Sequence, residues 1–539
     1  AIMVTNLPLN ICQFASRLLG VVYFGLLMSS VEFAKAADLN QSAVDNPQTF
    51  SGNFRENGPF YESNLQTQPG LDQSILPAYL RDATAADLVV ATATEDNTKS
   101  LQLFEMQDGF YPDNAAYEIA LTEDVIFLDI AATVGRDMLV VFYAGSAVQL
   151  DPRTGATRHL VEFSSIYNGP VDQKIPKLDM VRDLNGDSLD DFIIPGFKGY
   201  EVYIQNHDGT FGPRISLSAR PIMDISFRDN PWYQARKIYH ADVTNDGRAD
   251  LVFWVGDKFM VYQQLANGTF TDEPIQFSPK VIFDAEGYEG VSMRMGEEDQ
   301  SDAQQQALFQ LKDFTGDGIP ELVTLAVKSQ GVLKKSTTYN IHTGAGMYPS
   351  ESDLAYMLPD FQVEPASSIR SRGIQFDLEE KDLNNDGQLD IIVSSVEIGV
   401  GKIIRALLTG SIAINLDFYQ MADGIYPEKP NLHREVTATF NMSSGDVFLP
   451  TVLISDINGD GQEDLVVQDG RDTLEIFHGV SNGKLFERRA NKVSVEMPRD
   501  PDLVESLDLN GDGKQDLLIR LEPEEDDNNT HRLKVLVSK

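Results

Sequence analysis

Short apolar runs rich in β-branched residues recur along this chain, each entered from an acidic, turn-forming segment. Leu88-Val-Val-Ala, Asp250-Leu-Val-Phe-Trp, Asp390-Ile-Ile-Val and Asp464-Leu-Val-Val are examples. Apolar runs of this length bounded by turn residues read as strands buried on both faces. Eight such strands are expected to start at residues 87, 137, 191, 250, 321, 390, 464 and 516, at spacings of 50 to 74 residues. A long period that tolerates insertions suits propeller blades better than the rigid coils of a solenoid. The fourth unit shows the order of elements. Lys237-Ile-Tyr-His-Ala enters an acidic loop, Leu251-Val-Phe-Trp-Val leaves it, Phe259-Met-Val-Tyr-Gln follows, and Asn267-Gly-Thr-Phe turns the chain. The pattern predicts an all-β fold of four-stranded antiparallel blades. Asp108-Gly-Phe, Asp208-Gly-Thr-Phe, Asp423-Gly-Ile-Tyr and Asn482-Gly-Lys mark hairpins, because both turn positions tolerate positive φ.

The acidic loops share one design, Asp-x-Asn/Thr-x-Asp-x-x-x-Asp/Glu, in six copies. Oxygens at loop positions 1, 3, 5 and 9, with the backbone carbonyl at position 7, form the kind of set that a hard cation such as calcium takes. The expected ligands are Asp183, Asn185, Asp187, Leu189 and Asp191; Asp242, Thr244, Asp246, Arg248 and Asp250; and Asp313, Thr315, Asp317, Ile319 and Glu321. The other three loops supply Asp382, Asn384, Asp386, Gln388 and Asp390; Asp456, Asn458, Asp460, Gln462 and Asp464; and Asp508, Asn510, Asp512, Lys514 and Asp516. Position 7 acts through its carbonyl whatever its side chain. Glycine at position 6 in five copies permits a positive φ. An EF-hand needs a bidentate Glu at position 12, but that position holds Ile194, Phe253, Thr324, Val393, Val467 and Ile519. Turn chemistry alone explains one isolated Asn-Gly-Asp-Gly. Six copies in the same relation to a following strand favour calcium. Two earlier units are degenerate: Asp129 and Asp137 keep positions 1 and 9 with Ala131 and Thr133 between them, and Asp82 to Asp87 is a truncated loop.

These loops resemble the FG-GAP or VCBS-type repeat, the calcium-loop blade of integrin α-subunit propellers and of many secreted bacterial proteins. The resemblance covers residues 75 to 539 and matches the Asp-x-Asn-Gly-Asp-Gly-x-x-Asp core, while the Phe-Gly and Gly-Ala-Pro elements are poorly kept. It implies about six structural calcium ions. Propellers of this type usually carry seven blades; the eight strand starts favour eight here, with seven as the alternative. The last unit ends at Leu533-Lys-Val-Leu-Val-Ser, one outer strand short, so closure is expected to borrow one from the N-terminal segment.

Composition then limits the partners. The chain of 539 residues has a formal net charge of −39, which argues against nucleic acid, whose binding relies on Lys and Arg. Residues 1–36 read as a secretory signal: Arg17, an apolar stretch from Leu18 to Ser30, then Ala34-Lys-Ala36. That stretch is shorter than the ~20 residues of a membrane span, and no later segment qualifies. Residues 37–70 read as a polar arm or linker and 71–539 as the propeller. The only cysteine, Cys12, lies in the leader, so calcium would replace disulfides as the staple of a secreted, extracellular or periplasmic protein.

No nucleophile elbow, His-Glu-x-x-His, Walker loop or dinucleotide fingerprint occurs. A polysaccharide lyase, the chemistry of some similar calcium-containing propellers, would need a base near an Arg or metal, with Tyr239, His240, Arg236 and His342 as candidates. Tyr111, Tyr348 and Tyr426 follow hairpin glycines and could form sugar platforms, or pack against the next blade. The acidic stretch Glu297 to Gln306 and the long segments 329–375 and 399–445 read as insertions on the scaffold, a usual place for binding sites. No catalytic set emerges, and the expectation is a protein- or glycan-binding module, with a lyase or a subunit of an extracellular assembly as alternatives.

Overall fold

The computed structural model describes residues 55–70, 72–81, 84–171, 173–224, 232–283, 285–286, 304–329, 335–349, 357–370, 373–397, 400–441, 447–481, 484–521 and 532–539. The leader, Cys12 and residues 297–303 of the acidic stretch lie outside them. The chain is an eight-bladed β-propeller of antiparallel, essentially four-stranded sheets. It divides into two compact units, the smaller comprising residues 241–247 and 278–448.

In the larger unit, blade one is Asp72–Ala78, Asp87–Ala93, Lys99–Phe104 and Tyr117–Leu121, and blade two is Phe127–Thr133, Arg136–Phe142, Ser146–Leu150 and Thr157–Glu162. Blade three is Val181–Arg182, Asp191–Gly196, Gly199–Tyr203 and Ile215–Leu217; blade four, in this unit apart from Ala241, is Tyr239–Ala241, Asp250–Val255, Lys258–Tyr262 and Ile275–Phe277. Blade seven is Val452–Ser455, Asp464–Gln468, Thr473–Phe477 and Asn491–Ser494. Seven of the eight expected strand starts coincide with observed ones, and the eighth begins one residue early, at Arg136.

Every residue of Asp87–Ala93 and of Asp191–Gly196 is buried. Neighbouring blades cover both faces of these second strands, which is why they read as continuous apolar runs. Val89, Leu101 and Leu103 pack with Leu128, Leu139 and Val141 of blade two. Phe142 of blade two meets Phe192 of blade three edge-on at 5.3 Å. Each such side chain contributes roughly 1.5–3 kcal/mol relative to exposure.

A recurring backbone bond joins successive blades. The N–H just before the buried acid, or in blade two that of the half-buried Asp137 itself, donates to a carbonyl of the preceding blade: Asp137 N to Tyr79 O at 2.8 Å, Asp190 N to Ala132 O at 3.1 Å, and Gln515 N to Asp456 O at 2.8 Å. Ala86 N closes blade one on blade eight through Leu509 O at 2.7 Å.

Blade eight consists of Val504–Leu507, Asp516–Arg520 and Arg532–Ser538, completed by Phe60–Gln66 and then Arg55–Asn57. Phe60–Gln66 pairs with Arg532–Ser538 over seven residues. The borrowed strand is therefore real, and residues 55–66 are not the arm that their polarity suggested. Their polar side chains are buried in pairs: Glu62 lies 3.4 Å from Lys534 and accepts from Asn57 Nδ2 at 2.9 Å.

Residues 129–137 also differ from the expected degenerate loop. Phe127–Thr133 and Arg136–Phe142 form a hairpin through Val134 and Gly135, with Gly135 at φ 79°. Asp129 pairs across it with Val140, so these residues belong to a ladder and present no loop.

In the smaller unit, blade five is Gln304–Lys312, Glu321–Ser329, Lys335–His342 and Ser367–Arg370, with Ala285–Glu286 added in parallel at the edge. Blade six is Ile374–Lys381, Asp390–Val396, Ser411–Tyr419 and Leu432–Phe440, extended by Val447–Phe448. The bond between these blades is Leu389 N to Phe314 O at 2.8 Å. Segments 329–375 and 399–445, read as insertions, contain the blade strands Lys335–His342, Ser367–Arg370, Ser411–Tyr419 and Leu432–Phe440. The true additions are the hairpin Gly344–Pro349 with Met357–Phe361 and the helix Val400–Thr409.

Candidate metal loops

Each acidic loop is wound around its first aspartate. Asp183 Oδ1 accepts from the N–H groups of Asn185, Gly186 and Asp187 at 3.1, 2.7 and 3.3 Å, and its Oδ2 from Ser188 at 2.8 Å. Asn185 Oδ1 accepts from Asp187 N, and Asp187 Oδ1 from Leu189 N, both at 2.9 Å. The same bonds recur at Asp382, Asp456 and Asp508, where Gly387, Gly461 and Gly513 donate to Oδ2 at 2.8–2.9 Å. Asp313 accepts from Gly316 at 2.7 Å and from Gly318 at 2.8 Å, and Asp242 accepts from Asp246 at 3.1 Å and from Gly247 at 2.7 Å. Thr315 Oγ1 donates to Asp313 Oδ1 at 3.4 Å. The fold requires positive φ at position 6, where Ser188 at 67° is the one residue other than glycine, and also at position 4, for example Asn385 at 57° and Gly459 at 73°. The position-4 requirement explains the Gly or Asn found there, which the sequence reading left unexplained.

The ninth residue is of a different kind. Asp191, Asp250, Asp390, Asp464 and Asp516 have no exposed surface and Glu321 only 2%. Asp191 Oδ2 accepts from Leu184 N at 3.1 Å and Oδ1 from Gln205 N at 2.7 Å. Asp516 repeats this with Leu509 at 2.9 Å and Ser538 at 2.7 Å, Asp390 with Leu383 at 3.1 Å and Met421 at 2.9 Å. Asp464 repeats it with Ile457 at 3.2 Å and Gly479 at 2.8 Å; Glu321 accepts from Phe314 at 2.9 Å and Thr315 at 3.3 Å. Asp250 accepts from Gln264 N at 3.0 Å. Burial raises Asp191, Glu321, Asp390, Asp464 and Asp516 above the usual carboxylate range, to about 7 for Asp191, Glu321 and Asp516 and about 6 for Asp390, with loop carboxylates such as Asp183 and Asp187 adding to the shift of Asp191.

Among the described residues, no three His, Cys, Asp or Glu side chains converge as a metal cluster. The donor set still fits calcium. It is all oxygen, each carboxylate keeps lone pairs beyond its backbone bonds, and a divalent ion would offset the cost of burying an acid such as Asp191 or Asp516 beside other loop carboxylates. Asp183, Asn185, Asp187 and Asp191 and their counterparts are the side chains that would hold the ion, which would supply a fixed positive charge to the turn. The residues at position 7, Leu189, Arg248, Ile319, Gln388, Gln462 and Lys514, would contribute only their carbonyls.

One side chain beside these loops carried no sequence signal. His478 Nδ1 lies 3.1 Å from Asp464 Oδ2 and 3.3 Å from Asn458 Nδ2. It follows the third strand of blade seven, and its place beside the loop depends on the blade being folded.

The lyase candidates are held by structural bonds. Tyr239 is 1% exposed, with Lys237 Nζ 5.1 Å from its ring centre. His240 Nε2 meets Leu184 O at 2.7 Å, and Arg236 Nη1 donates to Trp254 O at 2.9 Å. His342 is 2% exposed, with Nδ1 at 2.9 Å from Gln362 O, and burial lowers its pKa. Tyr111 and Tyr426, considered as sugar platforms, are 2% and 4% exposed and pack inside the blades. The side chain of Tyr348 lies outside the described residues.

Residues 456–519, which carry the last two loops, match the family model of the FG-GAP-like repeat. No curated protein matches the chain. Among solved structures it is similar to a lectin of Agrocybe aegerita described for specific recognition of non-reducing terminal N-acetylglucosamine, at 16% identity over 81% of this chain and 92% of that one, with a TM-score of 0.39. It is similar to the Dos1 propeller at 9% identity over 89% and 95%, TM-score 0.40. It is also similar to a putative 6-phosphogluconolactonase of Bacteroides fragilis at 11% identity over 75% and 92%, TM-score 0.27.

Proposed function

We propose that this chain, an FG-GAP-type repeat protein by its residues 456–519, is a calcium-stabilised propeller that acts outside the cytoplasm as a binding or assembly module for a protein or a cell-surface glycan. The observation that carries the calcium part is the repeated pairing of a carboxylate-centred turn with a buried acid at its ninth position. Calcium in this scheme is a staple: binding the folded state alone, it stabilises by mass action. Loops with surface-accessible carboxylates match the weak sites of extracellular modules, which fill at about 10⁻⁴–10⁻³ M. No helix among the described residues is long and apolar enough to cross a membrane.

The binding part follows from the use of the candidate groups. Arg236 and His342 are committed to backbone carbonyls, and the buried acids to backbone N–H groups. A carboxylate held ionised by calcium makes a poor general acid. The test has two arms. Equilibrium dialysis should count about six calcium ions per chain; a count of zero removes the calcium reading. Incubation with acidic polysaccharides should give no rise in ultraviolet absorbance, whereas a steady rise abolished by His240→Ala would replace the module with a lyase.

A further inference from the structure

Blade one keeps the buried acid but surrounds it differently. Asp87 opens the strand Asp87–Ala93 with no exposed surface, like Asp191, Asp250, Asp390, Asp464 and Asp516. In blades three, six, seven and eight, a loop N–H holds one carboxylate oxygen of that acid, and an N–H at the end of the third strand or just beyond it holds the other. Asp87 is met by two guanidinium groups. Arg81 Nε lies 3.0 Å from Oδ1 and 3.3 Å from Oδ2, and Arg81 Nη2 lies 2.8 Å from Oδ1. The same Nη2 donates to Met106 O at 2.7 Å. Arg153, beyond the third strand of blade two, places Nη2 3.2 Å from Asp87 Oδ2 and Nε 2.7 Å from Glu105 Oε1. The sequence before Asp87 offers no Asp-x-Asn/Thr-x-Asp set.

We propose that the Arg81 guanidinium, backed by Arg153, is the built-in cation of blade one and takes the place that a divalent ion takes in the six loop-bearing blades. This inference rests on the calcium reading above. A guanidinium stays charged at any physiological pH and offers a planar fork that matches a carboxylate. Unlike a bound ion, it cannot be removed by a chelator. Blade one is therefore calcium-independent, and it forms one side of the seam where Ala86 N bonds Leu509 O and Tyr79 Oη bonds Asp508 O at 2.8 Å. The other side of that seam is the calcium loop beginning at Asp508. Removing Arg81 alone would leave a buried charge only partly compensated, which is costly, whereas removing both charges would not.

Hydrogen exchange of the full chain, read by mass spectrometry on peptides covering each second strand, tests this. In the wild type, chelation should speed exchange in Asp191–Gly196 and Asp516–Arg520 about tenfold or more and leave Asp87–Ala93 almost unchanged. Arg81→Gln should speed exchange in Asp87–Ala93 about tenfold even in excess calcium, and Arg81→Gln combined with Asp87→Asn should restore most of the protection. The proposal is overturned if chelation exposes Asp87–Ala93 as much as the other strands, if Arg81→Gln changes nothing there, or if the double variant is not rescued. Should chelation affect no strand, the calcium reading falls, and the single and double variants still decide whether Arg81 neutralises Asp87.

Discussion

The hydroxyl of Tyr426 donates to the carbonyl oxygen of Leu389 at 2.6 Å, while the N–H of the same Leu389 donates to Phe314 of the preceding blade at 2.8 Å. The arrangement is repeated in blade one. Tyr111 Oη donates to Ala86 O at 2.7 Å, and Ala86 N donates to Leu509 of blade eight at 2.7 Å. Each tyrosine thus braces the residue that makes the bond between blades, one position before the buried acid. Tyr111→Phe or Tyr426→Phe leaves a buried carbonyl without its partner and should cost about 1–3 kcal/mol. Thermal or urea denaturation of each variant measures this, and an unchanged midpoint would return these residues to the role of plain ring packing.

Calcium should raise the melting temperature of the wild-type chain in a concentration-dependent way, each site adding about 2.7 kcal/mol of stability at a hundredfold excess over Kd. Asp508→Ala removes the carboxylate that accepts from Gly511, Asp512 and Gly513. It should lower the calcium count by one and weaken stability even in chelator, because the turn itself loses its organiser. Differential scanning calorimetry with and without chelator separates the two losses. A melting curve indifferent to both calcium and chelator would leave the loops as turns.

The regular parts of this fold were open to reading from sequence because both signals were local. An apolar run after an acidic turn identifies a strand buried on two faces, and six repeats of the turn give the blade spacing. The parts that escaped depend on distant partners. Glu62 and Asn57 are buried, yet in sequence they sit in a polar stretch, because Lys534, which neutralises Glu62, lies more than 470 residues away. Asp129 and Asp137 mimicked loop positions 1 and 9, but Gly135 makes a hairpin that places Asp129 opposite Val140. Arg81 beside a buried Asp87 was present in the sequence, and its meaning depends on the fold bringing Arg153 to the same carboxylate.

Asp129 provides a pH test away from the loops. Burial raises its carboxyl to about 7; Asp190 and Asp179 add to the shift, while the Ile130 N–H and Lys177 oppose it. An acid whose folded pKa lies above its unfolded value of about 3.9 binds its proton more tightly when folded. Its contribution is therefore fully present below about pH 4 and is lost as the pH rises toward 7. Asp129→Asn should raise stability at pH 8 by about 2–4 kcal/mol and have little effect at pH 4. Paired melts at the two pH values decide it, and equal effects at both would mean that the carboxyl is not buried as described.

The borrowed strand should be the weakest point of closure in the larger unit. Phe60 has no exposed surface and joins the cluster of Val466, Leu474, Leu517 and Leu536, and Asn57 Nδ2 donates to Ser494 O of blade seven at 2.8 Å. Phe60→Ala should cost about 3–5 kcal/mol, through lost transfer energy and the cavity left behind. Deleting residues 55–66 goes further, because Arg532–Ser538 would then present an unpaired strand edge, and such edges invite association. Light scattering after mild heating should show the truncated chain aggregating at temperatures where the wild type remains monodisperse. Phe60→Ala should lie between them, and calcium should not rescue either variant, since the missing contacts are apolar packing and backbone pairing. A truncated chain that melts and scatters like the wild type would show that Arg532–Ser538 is stable as an edge and that closure does not depend on the N-terminal strand.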